Sequence, residues 1–171
     1  MQELFSSKID KSSVFETIEK LLVAKNFNII NKDENRPWGG FFVINEEQSE
    51  LFIKEYFSDF NQKDLINENK LSPKILIVEP GKRLSWQYHF RRAELWKVVS
   101  GVVGVIKSNS DVENEITKHD PPSVIKLKQG ERHRLIGLDS WGIIAEIWQH
   151  IDKSHPSDEE DIIRLQDDYG R

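Results

Sequence analysis

The sequence predicts an all-β protein with one N-terminal helix and one short helix inserted between strands. From Pro73 onward, seven short apolar runs follow one another, and Gly, Pro, Asn or Asp separates most of them. Strands at this spacing are typical of an antiparallel sandwich or a closed barrel. The 171 residues fit a single domain that is large enough to bury a core of its own.

The N-terminal extension is predicted to span residues 1–35, and the barrel with a C-terminal wrap to span residues 36–171. A helix is expected at residues 12–25, where Ser13 and Glu16 form a capping-box pattern. The apolar residues of this helix fall on one side and are Val14, Ile18, Leu21 and Leu22. Residues 31–35 are expected to form a polar link, after which the turn Arg36-Pro-Trp-Gly-Gly40 begins the barrel.

A strand at Phe41–Asn45 follows that turn, and a short helix is expected within Asp59–Lys70, with Asp59 as its cap. The acidic tail from Pro156 is expected to add a short final strand or to wrap over the surface. The other strands are predicted at Lys74–Glu79, Leu84–Phe90, Glu94–Ser100, Gly104–Ser108, Ser123–Leu127, His133–Ile136 and Gly142–Gln149.

Composition excludes several classes of function. The chain has no cysteine, so a metal can be held only by His, carboxylate or amide oxygen. The net charge of -5, without a basic stripe, argues against nucleic-acid binding. No apolar run is long enough to cross a membrane, and the N-terminus lacks the pattern of a signal peptide. We therefore expect a soluble cytoplasmic protein that binds no nucleic acid and no membrane.

The segment Gly81–Gly101 carries the strongest functional signal. Gln87, His89 and Glu94 lie close together in it, and His133 follows on a later strand. Nitrogen and oxygen donors of this kind suit a divalent first-row metal. The alternative for Gln87 and His89 alone is a hydrogen-bonded polar pair on an exposed strand face. Glu94 and His133 favour the metal site, because an unpaired carboxylate inside a barrel would be costly.

The arginines divide into two groups. Strand alternation places Arg83 on the face of Gln87 and His89, where its guanidinium could bind a phosphate through two hydrogen bonds. The others are expected to be solvated or at the rim, and they are Arg91, Arg92, Arg132 and Arg134. The remaining histidines, His119, His150 and His155, are expected to be structural or surface residues.

These motifs resemble the cupin superfamily and, more narrowly, the type II mannose-6-phosphate isomerase domain. The resemblance runs from about Arg36 to the last residue and is interrupted around residues 45–72. The matching segments, in order, are Arg36-Pro-Trp-Gly39, Gly81-Lys-Arg-Leu-Ser85, Gln87-x-His89, Arg92-Ala-Glu94, Trp96, Val98-Val-Ser-Gly101, His133-Arg134, Glu160-Asp-Ile-Ile-Arg164 and Asp168-Tyr-Gly-Arg171. Related stand-alone cupins are often labelled sugar-phosphate or phosphoheptose isomerases.

The resemblance implies a cupin barrel, that is, a double-stranded β-helix or jelly roll. It also implies a divalent ion such as Zn, Mn, Co, Ni or Fe on Gln87, His89, Glu94 and His133. The implied reaction is the isomerisation of an aldose phosphate to a ketose phosphate through an enediol. Glu94 would act as ligand and as base, and Arg83 would hold the phosphate or the developing oxyanion.

The sequence also departs from this family. Histidines usual in the family are replaced by Phe90, Arg91 and Leu95. Two further hypotheses therefore stand beside the isomerase: a non-catalytic sugar-binding or regulatory cupin, and an iron-dependent oxygenase. The aromatic side chains of Trp86, Tyr88 and Phe90 predict in addition a homodimer through the outer faces of the barrel sheets.

Overall fold

The computed structural model describes residues 5–65 and 70–171. Helix α1 spans Lys11–Ala24 and buries the face that contains Val14 and Ile18, close to the predicted range. Its cap is Asp10 rather than Ser13, because the Asp10 carboxylate accepts a hydrogen bond from the backbone N–H of Ser13. The capping-box prediction is thus wrong by three residues, whereas the helix itself is confirmed.

The polar link predicted at residues 31–35 is a strand. Strand β1, Ile29–Arg36, pairs with β2, Gly39–Ile44. Its sequence lacks the alternation of apolar and polar residues that marks a strand, because most of its side chains face water.

Two helices follow β2. Helix α2 spans Ser49–Tyr56 and was not predicted, whereas α3 spans Gln62–Leu65 within the predicted range 59–70. Positions 66–69 of that range lie outside the described residues.

The remaining strands form two antiparallel sheets together with β1 and β2, and the all-β prediction is confirmed. These strands are β3 Lys74–Val78, β4 Trp86–Tyr88, β5 Arg92–Ser100, β6 Val103–Ser108, β7 Thr117–His119, β8 Val124–Leu127, β9 Arg132–Gly137, β10 Gly142–His150 and β11 Ile163–Gln166. The six-stranded sheet has the order β1-β2-β3-β10-β5-β8, and the five-stranded sheet has the order β11-β4-β9-β6-β7. Gly101, with a φ of 73°, makes the tight turn between β5 and β6.

Two apolar clusters lie on opposite faces of the six-stranded sheet. One packs helices α1 and α2 against the outer face and includes Phe15, Phe52 and Leu95. The other fills the barrel interior with residues of both sheets, among them Trp96, Val105 and Leu135. The sheet therefore closes over a core on one side and is covered by the helices on the other, as in a cupin barrel.

Residues 163–166 of the acidic tail form strand β11, which pairs with β4 and so adds an edge to the five-stranded sheet. The predicted final strand is confirmed. Within the described residues, no helix is both long and apolar enough to cross a membrane.

Candidate metal centre and its cavity

Three of the four predicted ligands meet inside the barrel. His89, Glu94 and His133 each offer one donor atom, and these atoms all lie within 4.8 Å of one another. The three side chains are at most 3% exposed. Burial of three polar side chains at one point is costly unless they have partners, so their contacts decide what the cluster can hold.

Strand pairing explains why these residues converge. Gln87 on β4 lies directly opposite His133 on β9, and His89 follows immediately after β4. Glu94 lies near the start of β5, opposite Leu127 of the barrel core. Residues paired across antiparallel strands project to the same face of the sheet. The two sheets therefore direct the carboxylate and the imidazoles into one interior space.

Backbone contacts fix the tautomer of both histidines. The Nδ1 of His89 lies 2.6 Å from the carbonyl oxygen of Asp161, and the Nδ1 of His133 lies 2.9 Å from that of Glu131. A carbonyl oxygen only accepts hydrogen bonds, so both Nδ1 atoms carry the proton. The lone pair of each Nε2 then faces the cluster, which is the arrangement that metal-binding histidines adopt.

The two carboxylate oxygens of Glu94 differ in their hydrogen bonding. Its Oε1 accepts a hydrogen bond of 2.7 Å from Nε of Arg92. Its Oε2 lies 3.5 Å from Nε2 of His133, and both atoms are buried without a hydrogen-bond partner. Two orphaned acceptors that face each other fit a divalent cation. The residues present are thus suited to the metal that the cupin resemblance implies.

Arg92 also contacts the second histidine. Its Nη2 lies 3.1 Å from Nε2 of His89, so the guanidinium donates to both His89 and Glu94. Arg92 is 5% exposed, and the prediction that it is a solvated arginine is wrong. A metal ion bound to His89 would replace this hydrogen bond.

The pKa values of the cluster follow from burial and from these neighbours. The pKa of His89 is lowered to about 4, chiefly by burial; Glu94 opposes this shift and the charge of Arg92 adds to it. Burial also lowers the pKa of His133. For Glu94 burial acts in the opposite direction, but His89 and Arg92 outweigh it and lower the pKa below its usual value. Neutral imidazoles and an ionised carboxylate are the protonation states that bind a metal.

Gln87 and Arg83 differ in their placement. Gln87 lines the cavity next to the cluster, and its Oε1 accepts a hydrogen bond of 2.6 Å from Ser85. Arg83 does not line this cavity and instead forms a bidentate ion pair with Asp168, at 2.7 and 2.9 Å. The structure brings Gln87 together with the predicted ligands but leaves Arg83 outside.

A register shift explains the position of Arg83. Arg83 pairs with Ile136, and Gln87 pairs with His133, so four steps along one strand match three along the other. One extra residue in a strand turns the side chains beyond it to the opposite face. The parity argument that placed Arg83 beside Gln87 and His89 is therefore wrong.

Above the cluster lies a cavity of about 280 Å³. Part of the wall of this cavity is a row of residues paired across the six-stranded sheet, which consists of Val43, Lys74, Glu146 and Trp96. Glu146 is 5% exposed and accepts a hydrogen bond of 2.9 Å from the indole of Trp96. Burial, and then the charge of Glu94, raise the pKa of Glu146 to about 7. The cavity thus holds one carboxyl group that titrates near neutral pH.

Cations surround the Trp148 ring in the same wall. The Nζ of Lys74 lies 3.9 Å from the ring centroid, and the guanidinium carbon of Arg92 lies 3.6 Å from it. Three further arginines line the cavity, namely Arg36, Arg164 and Arg171, and so does the tail carboxylate Glu159. The cavity therefore has more cationic side chains than carboxylates.

The three positions at which the sequence departs from the cupin pattern lie outside the metal cluster. Leu95 is 3% exposed and belongs to the core between the sheet and the helices. Phe90 is 55% exposed, and Arg91 pairs with Asp158 of the tail. None of the three belongs to the group of converging metal donors found among the described residues.

Three cavity residues were missed by the sequence analysis. Arg92 was assigned to solvent, and Glu146 and Arg164 were given no role. The one signal that could have found Glu146 is its place as a lone carboxylate in the apolar run Gly142–Trp148. Arg134, also predicted at the rim, is fully buried and forms an ion pair with Glu113 at 2.6 Å.

Comparison with known proteins places this geometry in context. The model of the family described as mannose-6-phosphate isomerase, C-terminal, matches residues 47–167. A mannose-1-phosphate guanylyltransferase from Salmonella montevideo is 25% identical over 155 residues, which are 90% of this chain and 27% of that protein. A second, from Sinorhizobium fredii, is 28% identical over 133 residues, or 78% of this chain and 20% of that protein. The chain thus spans about a quarter of these relatives or less.

Solved structures agree on the fold. The capsular polysaccharide assembling protein CapF from Staphylococcus aureus superimposes with a TM-score of 0.51 at 16% identity. The match covers 82% of this chain and 34% of CapF. At this identity the likeness concerns the fold alone.

Proposed function

Because the chain belongs to the mannose-6-phosphate isomerase C-terminal family, we propose that it is a metal-dependent aldose–ketose isomerase of sugar phosphates. The substrate would be a hexose phosphate such as mannose 6-phosphate or a heptose phosphate. The observation that carries this proposal is the pair of orphaned acceptors, Glu94 Oε2 and His133 Nε2, beside a polar cavity. The two curated relatives are named for a different reaction of a mannose phosphate, which fits this class of substrate.

The metal would be held by His89, Glu94 and His133, with Gln87 as the fourth candidate ligand. A divalent ion in this position would act as a Lewis acid on the oxygens of the substrate at C1 and C2. The protein itself fixes the ligands: the carbonyl oxygens of Asp161 and Glu131 orient the two imidazoles, and Arg92 holds one oxygen of Glu94.

Isomerisation also requires a group that moves a proton between C1 and C2. Glu94 was the residue first assigned to this task, but the pKa of Glu94 is lowered by His89 and Arg92, so it is a weak base. Glu146 lines the same cavity and is not one of the converging metal donors, so its carboxyl group stays available for proton transfer. In the metal-free protein, burial and then the charge of Glu94 raise the pKa of Glu146 to about 7. We therefore assign proton transfer to Glu146 and metal binding to Glu94.

Solvent exchange tests the proposal directly. Sugar phosphates are incubated in deuterated water with the protein and Mn, Zn or Co, and deuterium at C1 or C2 is followed by proton NMR. We expect exchange with the wild type, and loss of exchange in both Glu94→Gln and Glu146→Gln. Glu146→Gln should retain the metal and Glu94→Gln should lose it. Absence of exchange with every hexose and heptose phosphate in the metal-loaded wild type would overturn the isomerase.

A non-catalytic sugar-binding cupin is the second candidate, and Arg92 is the observation that favours it. Its guanidinium contacts both His89 and Glu94 and thus already supplies a positive charge at the cluster. Such a protein would bind a sugar phosphate without turnover, and its affinity would not change on chelation. Calorimetry with and without a chelator separates the two candidates.

We also propose a cytoplasmic location and a homodimer. Of the three aromatic residues predicted at the dimer surface, Trp86 is 2% exposed and packs within the chain, whereas Phe90 is 55% exposed. A dimer would therefore use Phe90 and Tyr88, which contact each other edge to face, rather than Trp86. Light scattering at micromolar concentration tests this, and a monomer there would contradict it.

A further inference from the structure

We propose that Arg164 is the residue of this cavity that binds the phosphate group of the substrate. The sequence had assigned that role to Arg83. The inference deepens the proposed function, because it names the group that recognises the phosphorylated end of the sugar. It rests on the position of Arg164 in the sheet, on its lack of a partner and on the charges around it.

Strand register places Arg164 beside the predicted ligands. Arg164 on β11 lies directly opposite Gln87 on β4, and Gln87 lies opposite His133 on β9. Directly paired residues of antiparallel strands project to the same face. Arg164 therefore belongs to the row that contains two of the predicted metal ligands, and its side chain lines the cavity.

Arg164 differs from the other cations around the cavity because they all have an acidic partner. Arg36 pairs with Asp33 at 2.7 Å, and Arg171 pairs with Asp167 at 2.9 Å. Lys74 pairs with Glu159, and Arg92 with Glu94. Among the described residues, the guanidinium of Arg164 has no ion pair and no side-chain hydrogen bond. An incoming phosphate would thus bind it without first breaking a protein contact.

The surroundings of Arg164 add to its attraction for an anion. Arg164 is exposed on the edge strand β11, where partial burial of its guanidinium and the charges of Arg171 and Arg36 lower its pKa, against the opposing effect of Asp167. The repulsion between neighbouring positive charges decreases when an anion binds between them. A guanidinium also matches the geometry of phosphate oxygens through two parallel hydrogen bonds.

The distribution of charge also orients the substrate. The phosphate of a sugar phosphate is attached at the opposite end of the carbon chain from the carbons that react. Glu94 and Glu146 belong to strands of the six-stranded sheet and repel a phosphate, whereas Arg164 belongs to the five-stranded sheet and attracts it. The phosphate would therefore lie on the side of β11, and the carbonyl end of the sugar would face Glu94 and Glu146.

The experiment compares Arg164→Gln with Arg83→Gln, a matched control that removes the arginine first predicted. Titration calorimetry measures the binding of inorganic phosphate and of fructose 6-phosphate to the full chain. We expect Arg164→Gln to weaken both by about tenfold or more, the size of a lost hydrogen bond to a charged group. Arg83→Gln should bind like the wild type. Arg164→Lys, which keeps the charge but not the paired hydrogen bonds, should be intermediate.

The outcomes separate this inference from the proposed function. If phosphate binds through Arg164 while no sugar phosphate shows exchange, the anion site stands and the isomerase fails. If the wild type isomerises a sugar phosphate and Arg164→Gln leaves KM unchanged, the isomerase stands and this inference is overturned. Binding lost in Arg83→Gln rather than in Arg164→Gln, or phosphate that does not bind the wild type, would also overturn it. The unfolding temperature of each variant identifies losses that are due to misfolding.

Discussion

The Oε2 of Glu94 and the Nε2 of His133 lie 3.5 Å apart in the barrel interior, and neither atom has a hydrogen-bond partner. These two acceptors come from strands of different sheets, so a cation between them would join the two halves of the barrel. Metal binding should therefore stabilise the fold as well as complete the site.

Replacement of His133 tests this link. We expect His133→Asn to lower the affinity for Zn or Mn by more than about 100-fold, because it removes a ligand rather than an outer partner of one. Added metal should raise the unfolding temperature of the wild type but not that of the variant. His155→Asn, at an exposed histidine, serves as the control. Equal metal binding by the two variants would contradict the assignment.

Asp161 is expected to act on the metal through His89. Its carbonyl oxygen accepts from the imidazole, and its carboxylate accepts from the backbone N–H groups of Phe90 and Arg91 at 2.9 and 3.0 Å. Asp161→Ala should loosen this loop and lower metal affinity by about 10- to 100-fold. Asp152→Ala, which removes only an exposed contact to Ser154, should leave the affinity unchanged in the same titration.

The pH dependence of stability should report the buried carboxyl group of Glu146. Its pKa is raised from 4.5 to about 7 in the folded state, so the folded protein binds the proton more tightly than the unfolded chain does. Its contribution to stability is therefore complete below about pH 4.5 and is lost as the pH rises through 7. Relative to Glu146→Gln, the metal-free wild type should lose up to about 3 kcal/mol over this interval. Urea unfolding of both proteins in chelator at several pH values measures the difference, and parallel curves would disprove it.

Restoring the family histidine at Leu95 should not add a metal ligand. Leu95 is 3% exposed among apolar residues under the helices, so Leu95→His would bury an unpaired imidazole there. We expect a loss of about 2 to 4 kcal/mol in the free energy of unfolding, with unchanged metal stoichiometry. Val99→His, on the same strand but at a position that is 37% exposed, should cost much less. A second bound metal in Leu95→His would refute this placement.

The sequence predicted well those parts of the fold and the site that depend on local spacing. Gln87, His89 and Glu94 lie within one strand and the start of the next, so alternation and turn signals were enough to group them. The apolar strands from Pro73 onward were predicted for the same reason, since they alternate with turn residues. Strand β7, Thr117–His119, was not predicted because it has no apolar residue. Strand β1 was not predicted because its side chains are mostly polar.

The parts that failed depend on pairing between distant strands. Arg83 was misplaced because a register shift cannot be read from alternation alone. Arg92 was assigned to solvent because the tail that covers it, through Ser157, is far away in sequence. Glu146 enters the cavity because β10 pairs with β5, where it lies opposite Trp96. The spacing of residues around Arg83, Arg92 and Glu146 in the sequence does not indicate which distant residues they contact.

Because residues 157–166 follow the other strands in the chain, the barrel is assembled in two stages during synthesis. Residues 157–166 hold His89 and Arg92, and they also supply Arg164 and the strand that pairs with β4. A ribosome produces the other ten strands before this segment, so the nascent barrel has an unpaired β4 edge and an unsupported His89. Arrival of the tail closes that edge and supports His89 in one event. Assembly of the proposed metal site and protection from edge-to-edge aggregation should therefore begin together, once residues 157–166 have emerged.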